Sequence, residues 1–195
     1  MYKSQRPPPA LARDPVDDRE PSTVDRLEGQ KTAAFEIVET LGGAPDVLAL
    51  PYGGGGNLTA YARGFTESGT GMPKLVGGEA AERPTTVASA IRIVEPAHAA
   101  TVDVALQGSG GTAVSLSDEA ILEAWQELAH AEGVFCEPAS AAGLAALADV
   151  ELEPGSRVVC VVTGHGLKDP ETAALLSPAP LTVDPDPDAI EAASR

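Results

Sequence analysis

Ala34, Ile37, Val38 and Leu41 keep a three-and-four spacing that predicts a helix, and Gly42-Gly43 supplies its stop. Asp46-Val47-Leu48-Ala49-Leu50 then reads as a short buried strand. It runs into Pro51-Tyr52-Gly53-Gly54-Gly55-Gly56-Asn57, and helical character resumes from Leu58 to Glu67. Helix, strand, glycine loop, helix is the grammar of an α/β fold. Residues 66–84 are rich in glycine and charge around a short strand at Lys74-Leu75-Val76, and Thr85 to Ile93 is predicted helical after Pro84. Residues 94–116 mix their pattern and predict no element. The next helix is clear: Ser117 caps it, Asp118 and Glu119 complement its dipole, and Ile121, Leu122, Trp125, Leu128 and Ala129 share a face. Val134-Phe135-Cys136 predicts a brief strand, Pro138 opens an alanine-rich helix to about Asp149, and Arg157 to Thr163 is a β-branched strand ending in Gly164-His165-Gly166. A last short helix follows Pro170.

The ends differ from this middle. Residues 1–25, with Pro7-Pro8-Pro9 and no apolar period, predict a disordered arm, and the acidic, proline-containing stretch 183–195 predicts a loose tail. Residues 26–182 remain as one α/β domain, an open parallel-type sheet with flanking helices. Apolar residues make up 43% of the chain but aromatics only 4%, so the core must be aliphatic. A net charge of −16 repels phosphate backbones and anionic headgroups, which argues against nucleic acid and membrane surfaces as partners. It does not exclude a small anion, because a local nest of backbone amides outweighs a distant field. Met1 to Asp18 lacks the apolar stretch of a signal peptide, and no apolar run approaches a spanning length, so a cytoplasmic protein is expected. Cys136 and Cys160 lie in apolar runs and read as small core hydrophobes; cysteine and histidine show no metal spacing.

Four consecutive glycines exceed what a strand-to-helix turn requires, since each loses more backbone entropy than any other residue. They permit close approach: successive amides can face one oxyanion, helped by the dipole of the following helix, while Asn57 caps that helix or donates its own amide. A phosphate cradle is the functional reading and a flexible loop the plain one. The segment is not a Walker loop, lacking Gly-Lys-[Ser/Thr], and it does not follow the dinucleotide fingerprint.

Five collinear segments carry a resemblance. Arg26-Leu27-Glu28-Gly29-Gln30-Lys31-Thr32-Ala33-Ala34-Phe35-Glu36, Leu50 to Tyr61 around the glycine loop, Arg83-Pro84-Thr85-Thr86-Val87-Ala88-Ser89-Ala90-Ile91-Arg92-Ile93, Glu132 to Ala142, and Val162 to Pro170 together resemble threonine synthase, within the tryptophan synthase β-like group of pyridoxal-phosphate enzymes. The resemblance implies the larger cofactor-binding lobe of a two-domain fold, truncated. Gly53, Gly54, Gly55, Gly56 and Asn57 would hold the phosphate of pyridoxal 5'-phosphate. Thr163 would meet the pyridine nitrogen with a neutral hydroxyl, which suits elimination and replacement chemistry. The implied reaction converts O-phospho-L-homoserine and water to L-threonine and phosphate, so the expected ligand is a small amino-acid phosphoester. Threonine or serine dehydratase is the nearest alternative.

The family's Schiff-base lysine has no counterpart segment here. Lys31 reads as a solvated first-turn residue, Lys168 follows the pyridine-side loop, and Lys3 and Lys74 have no supporting context, so no catalytic residue is assigned. A non-catalytic cofactor- or phosphate-binding module therefore stays open, as does a half-enzyme needing a partner chain that carries the lysine; a homodimer or a missing N-terminal lobe is the expected assembly. His165 reads as a polar loop residue, Glu137 to Ser140 as helix capping and packing, Trp125 as core, and Arg92 as a salt-bridge residue at the surface or between domains.

Overall fold

The structure, a computed structural model, describes residues 23–177 and 181–193. Helices α1 (Thr23–Gln30) and α2 (Thr32–Leu41) lead into β1 (Val47–Pro51) and α3 (Gly56–Ser68). Then come β2 (Lys74–Ala80), α4 (Ala99–Ser109), β3 (Thr112–Leu116), α5 (Asp118–Glu132), α6 (Pro138–Ala146), β4 (Val158–Cys160), α7 (Pro170–Leu176) and α8 (Pro187–Ala193). The four strands are parallel in the order β3-β2-β1-β4.

Every residue of β1 is buried, because helices cover both faces of the sheet. Val47 and Ala49 point to a core shared with α5 and α6, through Ile121, Trp125, Ala141 and Ala142. Leu48 and Leu50 point to the opposite core, with Ala34, Leu58, Phe65, Val102 and Leu106 from α2, α3 and α4. Both sets of alternate positions are apolar, so the strand reads as a continuous run. On one face the layers meet through backbone: a Cβ on Gly143 of α6 would stand 2.9 Å from Leu50 Cα, and one on Gly78 of β2 would stand 2.5 Å from the Ala142 carbonyl carbon. Helix α2 ends as its glycines predict, with Gly42 in the left-handed region at φ 73°. Ser117 caps α5 through its Oγ, which accepts from Ala120 N at 3.2 Å.

Four expectations change. Thr85 to Ile93 contains only a 3-10 turn, Ser89–Ile91, because its groups bond outward: Thr86 Oγ1 donates to Asp118 at 2.5 Å, and Val87 N donates to the same carboxylate at 3.0 Å. Residues 94–116 hold a full helix and a strand, α4 and β3. Val134 to Cys136 forms no strand, only a single antiparallel bridge from Cys136 to His165. The last strand stops at Cys160, since it lies at the sheet edge with β1 as its only neighbour among the described residues. Of the arm expected over 1–25, residues 23–25 already belong to α1 and the rest lie outside the described residues. In the tail, α8 buries none of its side chains. Among the described residues no helix is long and apolar enough to cross a membrane.

Candidate cofactor site

Strand β2 lies on one side of β1 and β4 on the other, so the chain steps from β1 through β2 to β3 and then crosses back past β1 to place β4. Ligands in open parallel sheets bind at such a switch point, beyond the carboxyl ends of the strands. The glycine loop leaves the end of β1 and Thr163 follows the end of β4. Both line one cleft of about 600 Å³, with Arg26, Gln30, Ile93, His98, Glu137 and Lys168. All six residues expected to form the site are therefore brought together.

The loop is built for close packing and for free donors. Gly55 sits at φ 85°, where a Cβ would lie 2.7 Å from Val102 Cγ2, and one on Gly53 would lie 3.1 Å from Ile91 Cα. The loop carbonyls are used: Gly54 O accepts from His98 N at 3.1 Å and Gly55 O from Thr59 N at 3.0 Å. Among the described residues, the backbone amides of Gly53, Gly54, Gly55, Gly56 and Asn57 donate to nothing. Gly55 is the N-cap of α3 and no side chain caps the helix; Asn57 lies inside the first turn rather than at the cap expected for it. The positive end of a 13-residue helix thus opens on the cleft with its donors unspent. These features fit a phosphate group.

The opposite wall is held by α6. Ser140, buried at its start, accepts from Gly164 N at 2.7 Å, and its Oγ lies 2.9 Å from Thr163 Oγ1 and 3.3 Å from Gly164 O. Glu137 N donates to Gly164 O at 2.9 Å. Ser140 thus fixes the Thr163 turn, which packing alone did not imply. Replacing Ser140 by alanine strands the buried Gly164 N–H, and a loss of about 1–3 kcal/mol is expected in urea unfolding. Unchanged stability would mean the turn is held by other contacts.

Glu137 is buried and pairs with Lys168 Nζ at 2.9 Å, so the cleft carries no bare carboxylate on that wall. Lys168 is the one lysine lining the cleft among the described residues. Lys31, expected to be solvated, is instead mostly covered and pairs with Glu28 and Glu67. Its ammonium is held above the usual range first by Glu28 and then by Glu67, and Lys31 and Arg63 hold the Glu28 carboxyl low. Lys74 reaches the Glu151 carbonyl, away from the cleft. Arg26 was overlooked as a site residue: it lines the cleft and has no ion-pair partner among the described residues.

His165 is an exposed loop residue whose Nδ1 accepts from Leu167 N at 3.1 Å. Trp125 is core, with Nε1 donating to Cys136 O at 2.6 Å. Both cysteines are free, Cys136 buried and Cys160 half-buried, and burial pushes both thiols up. Arg92 forms no salt bridge among the described residues; its guanidinium donates to Thr86 O at 2.6 and 3.1 Å.

The chain is 48% identical over 183 residues to a threonine synthase of Halalkalibacterium halodurans, covering 81% of this chain and 52% of that protein. It is 48% identical over 182 residues to one of Mycobacterium tuberculosis, covering 82% and 51%. A third, from Methanosarcina acetivorans, is 42% identical over 197 residues and covers 86% and 49%. The chain thus spans about half the length of these relatives. Among solved structures it is similar to a threonine deaminase from T.th. (TM-score 0.56, 25% identity, 71% of this chain and 51% of that one). It also shares its fold with maize serine racemase (TM-score 0.59, 20% identity, 76% and 52%). The family model described as pyridoxal-phosphate dependent enzyme matches residues 12–164, and by that match the chain belongs to the pyridoxal-phosphate dependent enzyme family.

Proposed function

We propose that this chain forms the phosphate- and ring-anchoring part of a threonine synthase, which converts O-phospho-L-homoserine and water to L-threonine and phosphate. One observation carries the reading: five consecutive amides, unspent among the described residues, and the Thr163 hydroxyl line the same cleft. Gly53 to Asn57 would hold the cofactor's phosphate, and Thr163 would face its ring nitrogen. When bound, pyridoxal 5'-phosphate supplies an electron sink for bonds breaking at the amino acid's α-carbon. The protein's part is to orient it. Ser140 Oγ reaches both Gly164 O and Thr163 Oγ1. If its proton goes to Gly164 O, Thr163 donates to Ser140 and keeps its lone pairs for a protonated ring nitrogen. If its proton goes to Thr163, the Thr163 proton is free for an unprotonated nitrogen. Either way the group is neutral, and the nitrogen is not held as a cation by a carboxylate. Arg26, permanently charged and with no ion-pair partner among the described residues, would meet a second anion such as the substrate's phosphoryl group.

The distribution of lysines favours a second element of the reading. Lys31 is held in an ion-pair network and Lys168 pairs with Glu137, so this half binds the cofactor without bonding it. The bonding lysine would come from the remainder of the relatives' length or from a partner chain. On this reading the chain acts in the cytoplasm, with that remainder or a partner chain carrying the lysine completing the site; a homodimer would not supply it. Titration with pyridoxal 5'-phosphate should give saturable quenching of Trp125, competed by inorganic phosphate. Borohydride treatment of the stoichiometric complex should leave the intact mass unchanged. Equal affinity for pyridoxal without its phosphate would sink the reading, and a trapped adduct would sink its second element.

A further inference from the structure

Two buried side-chain oxygens among the described residues lack a hydrogen-bond partner, Gln30 Oε1 and Thr59 Oγ1. Only Gln30 lines the cleft. Its Oε1 lies 3.7 Å from the point a Cβ on Gly56 would occupy, directly against the glycine loop. An unpaired buried acceptor is unfavourable, and it marks a group whose partner arrives from outside the fold.

Gln30 is held there. It closes α1, whose neighbouring Lys31 pairs with Glu28 and with Glu67 of α3, while Arg63 of α3 pairs with Glu28 at 2.8 Å. Lys31 N donates to Leu27 O at 3.0 Å. A Cβ on Gly64 would stand 2.5 Å from Lys31 O, so the two chain segments touch through backbone. This clasp joins the end of α1 to the helix whose first turn is the glycine loop. The Gln30 side chain therefore faces the loop from a fixed base.

A carboxamide carries an acceptor and a donor that exchange places by a half-turn of its terminal torsion. We propose that Gln30 is a further phosphate-binding residue: its amide turns Nε2 toward a phosphate monoester seated on Gly53 to Asn57, adding a side-chain donor to the backbone ones. The inference rests on the reading of this cleft as a phosphate site and names a residue that the loop motif does not contain. It also explains why a neutral amide stands here. A carboxylate of the same shape would repel the anion, and an aliphatic chain would offer no bond.

The test uses the full chain and the substitutions Q30L and Q30E, titrated separately with pyridoxal 5'-phosphate, pyridoxal and inorganic phosphate, together with thermal unfolding without ligand. Q30L should weaken both phosphate-bearing probes about tenfold and leave pyridoxal unaffected. Its unliganded midpoint should hold or rise, because the unpaired oxygen is gone. Q30E should bind more weakly still, and added salt should narrow its deficit relative to the unsubstituted chain. Phosphate affinities within twofold of the unsubstituted chain in both variants would overturn the role of Gln30 and leave the cleft assignment standing. A Q30L midpoint lowered in step with affinity would make Gln30 a structural residue and overturn it equally. Absence of saturable binding by the unsubstituted chain would overturn both readings.

Discussion

Replacing Gly78 by valine is expected to destabilise the protein by about 3 kcal/mol or more, a large part of the roughly 5–15 kcal/mol that holds a typical domain folded. Strand propensity predicts the opposite sign, since valine favours strands and glycine weakens them. Packing wins here. A Cβ at this position would overlap the Ala142 carbonyl oxygen and lie 2.5 Å from its carbon, and backbone cannot rotate away as a side chain can. Helix α6 cannot retreat either, because Pro138, Ala139, Ala141, Ala142, Ala145 and Ala146 are all buried. The same helix carries Ser140, which fixes the Thr163 turn, so the site would loosen with the core. Gly78→Ala should fall between, at about 1–3 kcal/mol. Trp125 reports the event, since its indole bonds to the Cys136 carbonyl two residues before α6. Urea unfolding followed by Trp125 fluorescence checks the order. A valine variant as stable as the unsubstituted protein would show that α6 does not lie on β2 as described.

What was legible in the sequence follows the same division between local and tertiary causes. Helix α5 could be read because cap, charge and apolar face coincide within one segment, Ser117 to Ala129. Strand β1 and the loop could be read because an apolar run ends abruptly in four glycines. Helix α4 was not legible: Val102 and Leu106 face the core, but Val104 is 71% exposed and blurs the period. Strand β2 was read as three residues because Gly77 and Gly78 look like a loop. They are small because Tyr52 and Leu58 crowd the first and Ala142 the second, a fact that only the folded layers contain.

The site shows the same limit. Gly53 to Asn57 could be singled out because a buried strand runs into them, and Thr163 through the family resemblance alone; the sheet order then brings them to one cleft. Segment 85–93 was misread because the Thr86 hydroxyl and the Val87 amide bond to Asp118, 32 and 31 residues away, rather than along a helix. Arg26 and Gln30 lay inside a recognised segment, yet nothing local gives them a role. They reach the cleft because charged pairs clamp α1 to α3.

Gly55→Ala is expected to weaken pyridoxal 5'-phosphate binding by about tenfold or more while costing about 1–2 kcal/mol of stability. Two penalties combine at this residue. Its φ of 85° is left-handed, which an alanine adopts reluctantly, and the added methyl would press on Val102 Cγ2 at 2.7 Å and His98 Cβ at 3.1 Å. Relief requires the loop to move, and the unspent amides move with it. Binding should therefore suffer more than folding, because the donors serve a phosphate only when several meet it together. Gly54→Ala is the control. Its Cβ would make only an ordinary 3.5 Å contact with Ile93 Cδ1, with no left-handed φ to strain. That variant should bind within about threefold of the unsubstituted chain, a difference of under about 1 kcal/mol. Equal losses at both positions would mean that any added bulk blocks the cleft, and the backbone geometry of Gly55 would then explain nothing about phosphate recognition.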